Sequence, residues 1–257
     1  MGQLDGKVAV ITGGGRGIGQ AIATRYAAEG ATIVVSSRTQ ADLDETLAAA
    51  GVGADRGLAV VADAMDRDDA RRPAREAIER FGRIDILVNN VGGTVGGKPD
   101  PFEGDDNTFE QTIVLSLTSA WWTTSAALPT MREQGSGRII SIGSGASTAT
   151  GGSVPYTTAK HALVGFTKEL AKSVAPHGIN VNLLCPGTTR TSLFNIPAIA
   201  EARGKTEAEF EAMFSNDCLL HRILEPEEIA GMAVVLGGPD GSAITAQVIN
   251  VDGGYRV

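Results

Sequence analysis

The stretch "KVAVITGGGRGIG", residues 7–19, decides the fold of this chain. Its first half, residues 7–12, is a short apolar, β-branched run without polar alternation. That is the pattern of a strand buried on both faces. Its second half turns through glycine. Gly13, Gly17 and Gly19 stand in the spacing G-x-x-x-G-x-G, with Gly15 and Arg16 between them. This differs from the usual G-x-G-x-x-G turn, but the physics is shared. Residues without a Cβ let the backbone bend sharply and let a pyrophosphate approach closely. A helix opening near Gly17 and Ile18 aims its amides at the phosphate charge. Strand, glycine turn and helix in that order predict a nucleotide site made of Gly13, Gly15, Arg16, Gly17, Ile18 and Gly19.

Outward from this stretch, the same strand pattern returns at 32–37, 57–62, 84–90, 137–143, 179–186 and 246–254. Helical patterns lie between. "GIGQAIATRYAAEG" (17–30) spaces Ile18, Ile22 and Tyr26 on one face and stops at Gly30. "DDARRPAREAIERFG" (68–82) carries Pro73, which leaves its start open. The pattern predicts an α/β fold: a single-domain, Rossmann-type, doubly wound seven-stranded parallel sheet with helices on both faces. The rhythm breaks at 188–225, where one or two short helices read as an insertion at the carboxyl edge of the sheet. Such insertions commonly form lids over substrate.

Bulk properties narrow the function. The chain has 257 residues and a formal net charge of -8. That charge argues against a nucleic-acid surface. No apolar run approaches the roughly 20 residues of a membrane span. The two cysteines, Cys185 and Cys218, have no metal or redox spacing, which points to a reducing compartment. The start lacks a signal-peptide pattern, and Gly2 is not followed by Ser or Thr at position six, as myristoylation requires. His161, His177 and His221 lack metal-ligand spacing. The expectation is a cytoplasmic protein with a small-molecule partner and no metal, nucleic acid or membrane.

Where NAD sites carry an acidic residue about 20 residues past the glycine turn, this chain has Ser37 and Arg38. A carboxylate repels a 2′-phosphate, whereas an Arg pairs with it. Arg16 adds a second positive charge. NADP(H) is the predicted cofactor, with NAD(H) as the alternative.

In "VPYTTAKHAL" (154–163), Tyr156 and Lys160 stand one helical turn apart and share a face. An ammonium beside a phenol lowers its pKa from a reference of about 10. Alone, such a pair arises often by chance. Here it follows "TGGGRGIG" (12–19), "NNVG" (89–92) and Ser144, and precedes "PGTTRT" (186–191). In this order and spacing the chain resembles the short-chain dehydrogenase/reductase family over nearly its whole length. The resemblance implies an NAD(P)-dependent oxidoreductase acting on CH–OH groups. Tyr156 would be its general acid/base. Lys160 would lower the phenol's pKa and hold the nicotinamide ribose. Ser144 would orient the substrate oxygen, in preference to Ser141 and Ser147. Asp63 would contact adenine, Asn89 would brace the central strands, and the backbone near Asn90 would lie along the cofactor. Thr191 would meet the carboxamide, with Pro186, Gly187 and Thr189 shaping that part of the cofactor site.

Two departures from the family pattern stand out. Ser116 occupies the place of the usual Asn that links the Lys to solvent through water. "NNVGG" replaces "NNAG", adding bulk at Val91 and freedom at Gly93. With "NVGGT…KP" (90–99) these resemble, more weakly, a branch that oxidises cis-dihydrodiols with NAD. A 3-oxoacyl reductase is the rival enzyme reading, and a nucleotide-sensing scaffold on the same fold the non-enzyme one. The resemblance also implies a homotetramer, with Trp121 and Trp122 on a helix that forms subunit contacts in the family. Substrate choice would rest with the 188–225 insertion and the loop at 93–105.

Overall fold

Residues 2–96, 100–102, 105–191 and 196–256 are described by the structure, a computed structural model. Lys98 and Pro99, part of the resemblance at 90–99, lie outside these residues, as do parts of the 93–105 loop and of the 188–225 insertion.

The apolar runs become strands because each has two faces to bury. In β1 (Val8–Thr12) all five residues are buried. Val8 and Val10 turn toward α3 (Arg67–Phe81), α5 (Ser119–Gln134) and α6 (Val154–Val174). Ala9 and Ile11 turn the other way, toward α1 (Gly17–Ala28), α2 (Gln40–Ala49) and α9 (Pro226–Gly237). Two apolar layers therefore cover one sheet, as a parallel sheet requires. The remaining strands are β2 (Thr32–Ser37), β3 (Gly57–Val61), β4 (Ile86–Asn89), β5 (Gly137–Ile142), β6 (Ile179–Pro186) and β7 (Val248–Val251). The seven pair in parallel in the order β3-β2-β1-β4-β5-β6-β7. The chain works outward from β1 to β3, returns to β4, and then runs to the other edge. The return leaves a crevice outside the carboxyl ends of β1 and β4, where such sheets bind ligands.

Local signals explain the helix ends. The α3 helix starts after Asp66, whose carboxylate accepts from the amides of Asp68 and Asp69, each at 2.9 Å. It ends at Gly82, with φ +71°. Pro73 sits buried inside it, in its second turn. The helical stretch after β4 is not uniform. It runs as α4 (Asp106–Ile113), a π-helical segment (Val114–Thr118) and then α5.

Within 188–225 the described residues include α7 (Ile196–Ala202) and α8 (Glu207–Ser215). Ile196, Ala200, Phe210 and Ile223 form a small core apart from the main layers. The segment returns to the sheet where Thr189 pairs with Leu224.

Candidate active site

The crevice is flanked by the glycine turn after β1 and by Asn90–Gly93 after β4. Gly13 and Gly17 have φ of +63° and +56°, which only glycine adopts without strain. A Cβ on Gly19 would lie 2.3 Å from the Gly13 carbonyl oxygen. The Asn90 side-chain amide donates to the carbonyls of Thr12 (3.1 Å) and Gly13 (3.0 Å) and so locks the turn. The α1 helix opens at Gly17 without a side-chain cap and without an acid in its first turn. Its leading amides therefore face the turn as an anion site. Ile18 packs from there against the core. Thr191 closes the other side, 3.2 Å from where a Gly17 Cβ would sit. This Cβ-free cradle fits the pyrophosphate of a nicotinamide dinucleotide.

Ser37 ends β2, and its hydroxyl bonds the backbone of Thr39 in both directions (3.2 and 3.3 Å). Arg38 and Arg16 are exposed, and among the described residues neither pairs with a carboxylate. Asp63, just beyond β3, accepts from the Met65 amide at 3.0 Å. All stand at the carboxyl edge of the sheet.

Further along this edge, Ser144 follows β5 and caps a short turn. Its hydroxyl accepts from the Ala146 amide (3.2 Å), while Ser147 accepts from the Ser144 amide (3.2 Å). Ser147 is thereby occupied, and Ser141 is fully buried in the sheet. The α6 helix is capped by Ser153, which accepts from the Tyr156 amide at 3.4 Å. Burial pushes the Tyr156 phenol up, and the hydrogen bond with the Ser144 hydroxyl pulls the other way. Lys160 is buried, and its amine donates to the Ile142 carbonyl at 2.8 Å. Burial lowers the Lys160 pKa to about 8. The amine lies 5.7 Å from the centre of the Tyr156 ring. The net direction for the phenol is upward, against the lowering expected from Lys160. Removal from water costs the phenolate more than its neighbours return.

The Ser116 hydroxyl accepts from the Gly93 amide (3.0 Å) and donates to the Gly93 carbonyl (2.9 Å), with no bond to Lys160. Asn89 reaches across to Thr124 on α5 (2.9 Å) instead of bonding neighbouring strands. Asn90 contributes its side chain to the turn, not only its backbone. Pro186 ends β6, and the Gly187 amide donates to the Val251 carbonyl (3.1 Å). A Cβ on Gly187 would lie 2.6 Å from the Asp252 carbonyl oxygen. Thr189 donates to the Gly187 carbonyl (2.9 Å).

The structure adds residues to this list. A Cβ on Gly92 would lie 2.9 Å from the Lys160 nitrogen, so glycine leaves room for the amine. The Ser153 and Thr94 hydroxyls meet at 3.5 Å, joining the loop after β4 to the start of α6. Ser153, just before Val154 and Pro155, carries a helix-cap signal in the sequence. His161 is exposed, with its ring nitrogen at the Thr157 carbonyl (3.0 Å), away from Tyr156. Among the described residues no group of His, Cys, Asp and Glu is arranged to hold a metal, and no helix is long and apolar enough to cross a membrane.

Residues 7–197 match the family model described as short chain dehydrogenase. The chain is 34% identical to the short-chain reductase protein NovJ of Streptomyces niveus, over 96% of this chain and 93% of that one. It is 35% identical to D-beta-hydroxybutyrate dehydrogenase of Rhizobium meliloti (strain 1021), over 97% and 98%. Among solved structures it superposes on levodione reductase with a TM-score of 0.89 and 30% identity, covering 97% of both chains. The chain belongs to the short-chain dehydrogenase family and is an NAD(P)-dependent oxidoreductase acting on CH–OH and ketone groups.

Proposed function

We propose that the protein interconverts a secondary alcohol and a ketone, using NADP(H), with Tyr156 as general acid/base. The observation that carries this reading is the convergence of three groups beside the glycine cradle. These are the Ser144 hydroxyl, the half-buried Tyr156 phenol and the buried Lys160 amine. When bound, the nicotinamide supplies or accepts the hydride, so the chain needs no nucleophile of its own. Its task is one proton transfer and the stabilisation of charge on oxygen. Ser144 holds the substrate oxygen. Tyr156 gives it a proton in reduction and takes one in oxidation. A phenol pushed up by burial stays protonated at neutral pH, so it holds the proton that reduction requires. The Lys160 ammonium has three donors and spends one on Ile142, so another would hold a ribose hydroxyl.

The glycine turn, Ile18 and Thr191 would hold the pyrophosphate and nicotinamide, with Asn90, Pro186, Gly187 and Thr189 shaping the cradle. Ser37 and Asp63 would meet the adenosine. Unpaired Arg38 and Arg16 support a 2′-phosphate there, and so NADP(H) over NAD(H). Residues 188–225, with their own small core, serve as the substrate lid. A cytoplasmic homotetramer completes the reading, with the half-exposed Trp121 against Phe166 (ring centres 6.5 Å apart) as a subunit contact.

The test is turnover of a panel of ketones, 3-oxoacyl esters and cis-dihydrodiols with each cofactor, for wild type and Tyr156→Phe. Loss of about 10²–10⁴-fold in Tyr156→Phe, with NADPH binding intact, is expected. Equal inertness of both proteins on every substrate, with nucleotide still bound, would favour a nucleotide sensor instead.

A further inference from the structure

The chain beyond β7 does not trail away. Gly253 and Gly254, with φ of +67° and +77°, fold it back against the end of the 188–225 segment. The carbonyls of Gly253 and Gly254 accept from the amides of Leu220 (3.0 Å) and Leu219 (3.2 Å), and the Arg256 amide donates to the Asp217 carbonyl (2.9 Å). The Arg256 guanidinium then grips both sides. It pairs with the Asp217 carboxylate (3.0 Å) and donates to the Thr150 carbonyl (2.5 Å). Thr150 belongs to the loop that runs from Ser144 to Tyr156.

Between these anchors Tyr255 is driven into that loop. A Cβ on Gly145, the neighbour of Ser144, would lie 2.5 and 2.7 Å from two ring carbons of Tyr255. A Cβ on Gly151 would lie 3.4 Å from the Tyr255 hydroxyl oxygen, and one on Gly152 2.9 Å from the Tyr156 ring. The two phenols thus bear on adjacent glycines, and the ring slot exists only because positions 145 and 151 lack side chains. The Tyr255 phenol adds to the upward push on Tyr156, and burial pushes the Tyr255 phenol itself up. Tyr255 is half-buried, and among the described residues its hydroxyl has no hydrogen-bond partner. The hydroxyl is not among the buried polar atoms without a partner, so it is accessible to water or to a ligand.

We propose that Tyr255 is a specificity-determining residue whose hydroxyl donates to a second oxygen of the substrate. The site then selects hydroxyketones, diketones or diols over compounds whose only oxygen is at the reacting carbon. This rests on the reading that Ser144 and Tyr156 hold the reacting oxygen, because Tyr255 flanks the segment that joins them.

The experiment compares cyclohexanone with 2-hydroxycyclohexanone, using NADPH and NADH, in wild type and Tyr255→Phe. Phenylalanine keeps the ring between Gly145 and Gly151, and a thermal melt checks that the fold is retained. Wild type should prefer the hydroxyketone. Tyr255→Phe should lose that preference by about five- to tenfold, through KM, and leave cyclohexanone turnover within about twofold. An unchanged ratio, or an equal fall on both substrates, overturns the proposal alone. A wild type that turns over neither substrate with either cofactor overturns the reading of the site, and this proposal with it.

Discussion

The Lys160 amine donates to the Ile142 carbonyl at 2.8 Å, while the centre of the Tyr156 ring lies 5.7 Å away. The helical turn between the two residues puts them on one face, but the amine settles on the last carbonyl of β5. There it is buried, and its pKa falls to about 8. A buried ammonium with one neutral acceptor is a cost to the fold, retained where chemistry uses it.

This cost has a pH signature. The folded pKa of Lys160 lies below its unfolded value, so between about pH 8 and the usual lysine range the unfolded chain binds more protons. Wild-type stability therefore gains over that window as pH rises. Lys160→Met removes the penalty. The variant should lose activity, and its stability relative to wild type should be greatest below pH 8 and decline toward pH 10.5. Urea melts of both proteins from pH 7 to 10.5 measure the difference. A difference independent of pH would count against a buried, titrating Lys160.

Ser116 offers a second check. Its hydroxyl is buried and spends both its donor and its acceptor on Gly93, at the wall of the crevice. Ser116→Ala leaves that amide and carbonyl unpaired, at a cost of about 1–3 kcal/mol. The expected result is a Tm lowered by several degrees and a raised KM for substrate, with the pH profile of kcat unmoved. A shifted pH profile would instead restore Ser116 to a proton path from Lys160.

These two residues show which parts of the site the chain displays in one dimension. The β1 run is visible because Val8, Val10 and Ala9, Ile11 fill opposite layers, which leaves no polar alternation. The Tyr156–Lys160 spacing and the glycines at 13, 17 and 19 are equally local. The partner of Lys160 is not, because Ile142 lies 18 residues back and meets it only when α6 packs on the sheet against β6. "VLSLT" (114–118) carries no mark of a π-helical segment, so the register that turns Ser116 toward Gly93 emerges only from packing. Asn89 likewise finds Thr124 across a layer. The phenol shift depends on burial, which pairwise spacing does not encode. Tyr255 reaches the Ser144 loop only after the fold-back at Gly253–Gly254.

Arg38 tests the cofactor assignment. It is exposed and unpaired among the described residues, so a 2′-phosphate would meet a cation with no competing carboxylate. Arg38→Asp replaces an attraction with a repulsion. kcat/KM with NADPH should fall by roughly 10- to 100-fold, and the ratio of NADH to NADPH efficiency should rise by at least as much. The wild-type preference should also weaken with added salt, because the pair is solvent-exposed. A wild type that prefers NADH would refute the assignment outright.

Asp85 lies at the opposite edge of the sheet and should affect stability without touching the chemistry. It is buried, and it accepts from the Val8 amide (2.9 Å), from Lys7 (3.3 Å) and from two nitrogens of Arg83 (2.8 and 2.7 Å). It thus ties the start of β1 to the start of β4, the two strands that flank the crevice. Burial pushes its carboxyl up, but the Arg83 bonds, the Val8 amide and the Lys7 charge together bring it below the usual value. The folded pKa is therefore the lower one. The stabilisation is complete above the unfolded pKa near 4 and is lost as pH falls through the folded value. Lys7 and Arg83 are nearly half exposed, so solvent screens part of the gain. Asp85→Asn should lower stability by about 1–3 kcal/mol at pH 7. The gap to wild type should narrow below pH 4, and KM for substrate and for cofactor should hold within about twofold. Denaturant melts at pH 7, 5 and 3 decide it, since a gap that stays constant to pH 3 would mean that Asp85 holds no ionic advantage in the fold.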